Sequence, residues 1–193
     1  MKEVKDLTDA KRSSVEIAKE VGITLKKIRT FNGRRGTAIE ADVYLNGKLL
    51  AHASDEGIGG CMNIEATFKK EDFDEMRANR KIIQEVEEAI AKYPEVEVEY
   101  FGRTSTIKND LEYVINALID AKEEEKQFNR DKKKGVLYGS QIIKWKAGSI
   151  PVMIKTFGQK KVIKMLQEEC DKLKAKNIEV LNKEYLEDLG VDF

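Results

Sequence analysis

The chain has 193 residues, 41% hydrophobic and 36% charged, with 35 basic and 35 acidic side chains and a formal net charge of zero. That length and apolar content exclude a disordered chain, and the missing basic excess excludes a surface built throughout for nucleic acid. Charge is unevenly spread, at +2 over residues 1–60, −6 over 61–130 and +4 over 131–193.

Residues 13–31 admit two readings. Ala18, Gly22 and Ile28 stand at helix-turn-helix spacing, with Thr24 capping a recognition helix that carries Lys26, Lys27 and Arg29. Such a helix would run almost at once into Asn32-Gly33-Arg34-Arg35-Gly36. The preferred reading is a helix over 9–21 stopped by Gly22, then a strand over 23–31 with a bulge between Leu25 and Ile28.

In residues 37–54, Ile39, Ala41, Val43 and Leu45 alternate with Glu40, Asp42 and Tyr44, the pattern of a half-buried strand. Asn46-Gly47 suits a type I′ hairpin turn. Counting back from that turn pairs Leu45 with Lys48, Tyr44 with Leu49, Val43 with Leu50 and Ala41 with His52. This register puts His52 on the face of Val43, where a backbone group would satisfy it.

A turn with three glycines, Asp55-Glu56-Gly57-Ile58-Gly59-Gly60, precedes a strand at 61–68 with Met62, Ile64, Ala66 and Phe68 on one side. A helix follows at 71–92, with Phe73, Met76, Ile83, Val86 and Ile90 as its stripe. Residues 95–101 read as an edge strand, 102–109 as a loop and 110–128 as a helix with Leu111, Val114, Ile115, Leu118 and Ala121 as its seam. After the basic linker Lys132–Gly135, short strands are expected near 136–138, 142–146 and 152–155. A helix at 159–176, a strand at 178–181 and a short helix capped by Asn182 complete the chain. The fold expected is α+β, with an N-terminal antiparallel meander packed by helices (1–130) and a smaller C-terminal strand-helix-strand subdomain (131–193) packed against it.

No apolar run matches a membrane span or signal region, so a cytoplasmic protein is expected. Cys61 and Cys170 have no metal-cluster spacing and read as buried thiols; neither metal nor cofactor is implied. The foremost ligand- or partner-binding candidates are Asp55, Glu56, Gly57, Gly59 and Gly60, with His52. Glycine backbones there would admit an anion, although the two acids oppose phosphate and no Walker or dinucleotide motif is present. Lys26, Lys27, Arg29, Arg34 and Arg35 form the candidate contact for nucleic acid or an acidic partner. No convergent catalytic set is legible. The expected edge strand and the apolar residues on both hairpin faces permit a homodimer.

The runs Ile28–Gly33, Ala41–Lys48 and Asp55–Cys61 resemble a group of uncharacterised small phage and mobile-element proteins, in which an Asn-Gly-Lys hairpin precedes an acid-Gly-x-Gly-Gly turn. The resemblance covers about residues 26–64. It implies a sheet rather than a helix-turn-helix, and a role in binding, and so inhibiting, a host or defence complex; the lack of a convergent catalytic set makes the expected role non-enzymatic. The other readings are a DNA-binding regulator using residues 13–31 and a small-ligand or nucleotide-binding protein using the 55–60 turn.

Overall fold

The structure, a computed structural model, describes residues 4–5, 7–69, 72–100 and 103–193. Two compact units divide the chain, Met1–Lys122 and Glu123–Phe193. None of the described helices is long and apolar enough to cross a membrane.

In the first unit, β1 (Val4–Lys5) leads into α1 (Leu7–Val21). Gly22, at φ +86°, stops that helix and accepts the Asn46 N–H through its carbonyl. Then come β2 (Ile23–Asn32), β3 (Thr37–Leu45), β4 (Lys48–Asp55) and β5 (Asn63–Ala66), an antiparallel meander in that spatial order. Thr24–Phe31 pairs with β3 from Tyr44 to Ala38, so the recognition helix of the helix-turn-helix reading does not exist. The expected bulge is present between Lys26 and Arg29.

The hairpin register requires a correction. Tyr44 pairs with Leu49 as expected, but Leu50 is an inserted residue, so Val43 faces Ala51 and Asp42 faces His52. Leu50 and Ala51 therefore both turn inward, and His52 joins the outer face with Asp42 and Tyr44.

Helices α1, α2 (Phe73–Ile90) and α3 (Leu111–Asp131) cover the inner face. Ile17, Ile23, Leu25, Val43, Val86, Ile90, Leu111 and Ile115 are among the side chains buried between the layers. Asp72 caps α2 by accepting the Glu75 N–H at 2.9 Å. Phe73, expected in the buried stripe, is instead 61% exposed, while Asn79 is buried with its amide on the Thr67 carbonyl.

The strand expected at the edge over 95–101 is β6 (Val96–Tyr100), and it is central. It lies between β1, which is parallel to it, and β7 (Arg103–Ile107), which occupies most of the expected loop. Residues 71, 101 and 102 of the expected elements lie outside the described set. In the four-stranded sheet β2 is an edge, and the Lys122 ammonium on α3 donates to its Leu25 carbonyl at 2.7 Å.

The second unit contains the hairpin β8 (Gly135–Tyr138) and β9 (Gln141–Lys144), then α4 (Ile150–Phe157), α5 (Gln159–Ala175) and α6 (Lys183–Glu187). α4 replaces the strand expected at 152–155. Ser149 is its N-cap residue and Pro151 sits in its first turn, where a missing N–H costs nothing. Ile150 and Met153 are fully buried at helical spacing. No strand forms at 178–181; Leu181 donates one hydrogen bond to the Leu137 carbonyl.

Asn182 occupies the N-cap position of α6 without a side-chain capping bond. Its amide instead accepts from the Leu137 N–H at 2.9 Å and donates to the Lys132 and Gly135 carbonyls at 3.1 and 2.9 Å. All three backbone groups would lose a partner in N182A, so that variant should lower unfolding stability by about 1–3 kcal/mol in urea titration. N182D, which places an acceptor against two carbonyls, should be no better than N182A.

Candidate functional site

The outer face of the β2–β5 sheet carries Lys26 and Arg29 from β2, Glu40, Asp42 and Tyr44 from β3, His52 and Ser54 from β4, and Glu65 from β5. Asp42 is the one buried carboxylate among the described residues, its side chain 9% exposed. His52 Nδ1 lies 2.6 Å from Asp42 Oδ1 and the Lys27 ammonium 2.9 Å from Oδ2. Oδ2 is sealed from solvent and has no well-aligned donor, so Lys27 compensates it as a charge more than as a directed hydrogen bond.

Two register shifts build this cluster. The inserted Leu50 brings His52 opposite Asp42. In β2 the chain passes through Lys27 at φ +49°, the left-handed position that glycine commonly fills in such a bulge. That turn of the backbone brings the Lys27 side chain to Asp42 while Lys26 lies over the Tyr44 ring, 4.3 Å from its centroid.

The contact with Lys27 holds the Asp42 carboxyl below its ordinary value of 3.8; burial opposes this and the His52 bond reinforces it. The same contact raises the Lys27 ammonium above 10.5. Because an ionised carboxylate only accepts, the His52 Nδ1 carries the hydrogen of this contact, on a side chain 59% exposed. A shallow cavity of about 340 Å³ lies here, bordered by Lys27, Arg29, Glu40, Asp42, His52 and Ser54.

Chemically, the cluster presents fixed charges and one oriented imidazole. It has the orienting half of a nucleophile-base-acid system, but no hydrogen bond among the described residues joins His52 to Ser54 or Cys61. Cys61 is exposed, contrary to expectation; Cys170 is buried, and burial pushes its thiol up to about 11. Among the described residues no cluster of three His, Cys, Asp or Glu side chains is placed to hold a metal ion.

The acid-glycine turn serves structure in its first half. Asp55 Oδ1 accepts the Gly57 N–H at 2.7 Å, and the Gly57 carbonyl accepts from the Arg35 N–H at 2.8 Å. Gly57 is buried at φ +66°, and a Cβ there would meet the Ala38 nitrogen at 2.8 Å and Gly33 Cα at 3.0 Å. Glu56, Ile58, Gly59 and Gly60 are exposed. His52 belongs to the sheet face. Of the basic candidates, Lys26, Lys27 and Arg29 belong to the sheet-face group, and Arg34 and Arg35 lie in the exposed β2–β3 turn. Asp42, central to the cluster, was missed because the bulge-free register placed His52 on the opposite face.

No protein-family model matches the chain, and neither a curated protein nor a solved structure is similar to it at a significant level.

Two outcomes test this geometry. G57A should destabilise the protein by about 1–3 kcal/mol in thermal melts, whereas G60A, with open space and no left-handed φ, should be near neutral. The stabilisation tied to Asp42 is present above pH 3.8 and is lost as pH falls through its lowered folded-state value. The Lys27 contribution is complete below pH 10.5 and is lost as pH rises through its raised value. The stability gap between wild type and D42N, measured by urea titration, should therefore narrow below pH 3.8.

Proposed function

We propose that the chain is a non-enzymatic binding protein of a phage or mobile element. It acts in the cytoplasm and grips a host or defence protein with the open face of β2–β5. The observation that carries this reading is the buried Asp42 held between His52 and Lys27 on a face otherwise turned to solvent. A buried ion cluster is a poor stabiliser beside apolar packing, and Lys27 adopts a strained backbone to take part in it. Charges already fixed in place reduce the ordering cost of association and discriminate among partners.

Signs on this face are mixed, with Lys26, Lys27 and Arg29 beside Glu40 and Glu65, which suits a protein surface better than a polyanion. The resemblance of residues 26–64 to phage and mobile-element proteins supports the source and the host target. DNA recognition through residues 13–31 has no recognition helix to use, because Thr24–Phe31 is strand, and Gly57 of the 55–60 turn is packed against the backbone of Gly33, Gly36 and Ala38.

The test is affinity capture from host extract on wild type, K27A/R29A and D42N, with quantitative mass spectrometry at low and high salt. At least one host protein should be retained by wild type and reduced about tenfold on K27A/R29A, with retention falling as salt rises. Equal retention of every captured protein on all three folded baits would end the proposal.

A further inference from the structure

The second unit holds a cavity of about 680 Å³, inside the range of about 300–1,000 Å³ typical of small-molecule sites. It opens among the last turns of α3, the second half of α5, the 177–182 segment and α6. Phe128, Tyr185 and Phe193 line it together with Lys132, Lys174 and Lys183. Of the nine large apolar side chains most exposed among the described residues, Phe128, Leu181 and Phe193 all converge here. Scattered single exposures are ordinary, but three gathered on one concavity mark a contact surface.

The cations are arranged around those rings. Lys132 Nζ lies 5.9 Å from the Tyr185 centroid and Lys183 Nζ 5.3 Å from that of Phe193. Lys183 also pairs with Glu187 at 3.5 Å, whereas Lys132 and Lys174 form no ion pair among the described residues. Glu179 and Glu184 line the same cavity, and with Lys183 engaged by Glu187 the ammonium groups left for a ligand are those of Lys132 and Lys174. Two such cations beside two carboxylates suit a single phosphate better than a triphosphate. The Asn182 amide is fully engaged by backbone and adds no recognition, and the buried Cys170 thiol, held neutral, offers no nucleophile.

We infer that this cavity binds a nucleoside monophosphate unit, its base stacked on Phe128, Tyr185 or Phe193 and its phosphate held by Lys132 and Lys174. Aromatic rings supply stacking that any base accepts, and flexible lysines at the mouth supply the phosphate contact. The unit comes either as a free nucleotide or as one residue of a single strand. This inference is independent of the sheet-face proposal.

The test uses the full chain and isothermal titration with AMP, ATP, adenosine, inorganic phosphate and a short oligo(dT). AMP should saturate with a Kd below about 1 mM, a typical weak-site affinity. Adenosine and phosphate alone should bind at least about tenfold more weakly, ATP should gain no more than about threefold over AMP, and added salt should weaken binding. K132A/K174A should lose about tenfold, with F193A as a second variant acting through stacking. Oligo(dT) more than about tenfold tighter than AMP assigns the site to single strands, and otherwise it takes free nucleotide. Absence of saturable binding by both AMP and oligo(dT), or unchanged binding in folded K132A/K174A and F193A, overturns the inference.

Discussion

Each strand of the four-stranded sheet must keep its apolar side chains toward α1, α2 and α3, and two inserted residues let this sequence meet that constraint. Side-chain direction alternates along a strand, so a one-residue slip would send the buried set into water. Lys27 absorbs the mismatch in β2, allowing both Leu25 and Ile28 to face inward. Leu50 absorbs it in β4, allowing Leu50, Ala51 and Ala53 to stay buried. The same two insertions place Lys27 and His52 on either side of Asp42. Core packing and the charged cluster are thus two results of one adjustment in register.

The cluster also follows a familiar energetic logic. Removing a carboxylate from water is tolerable only when opposite charge and hydrogen-bond donors replace the lost hydration. Asp42 obtains one of each from strands that flank its own, so its partners are fixed by backbone pairing rather than by flexible surface side chains. The pair Arg29–Glu40, at 3.9 Å on the same face, has no such enclosure and contributes little by itself.

Much of the architecture was legible where the sequence carries local markers. Gly22 announced the end of α1, Asn46-Gly47 the hairpin, and the position of Ile28 the bulge in β2. The second bulge was not legible, because Leu49-Leu50-Ala51 is apolar at every position and offers no break in alternation. Unbroken alternation consequently makes Asp42 look like an ordinary outward residue and puts His52 on the wrong face. Val152 and Ile154 suggest a strand over 152–155, although Ile150, Met153 and Phe157 keep helical spacing and Pro151 fits a first turn. The threonine- and serine-rich β7 lacks the apolar alternation that identifies a strand, since four of its five side chains are exposed. Lys132, Tyr185 and Phe193 are brought together by chain folding across 61 positions, a separation that no local pattern encodes.

The lysine that reaches from α3 to Leu25 has an effect outside the molecule. An outermost strand ten residues long would ordinarily offer its unpaired carbonyls to a neighbour and invite stacking into fibrils. With an ammonium seated on one of those oxygens, an incoming strand would have to displace a charged group before its first rung could form. Protection of this edge is therefore built into a residue that, read along the helix alone, looks like one more surface lysine.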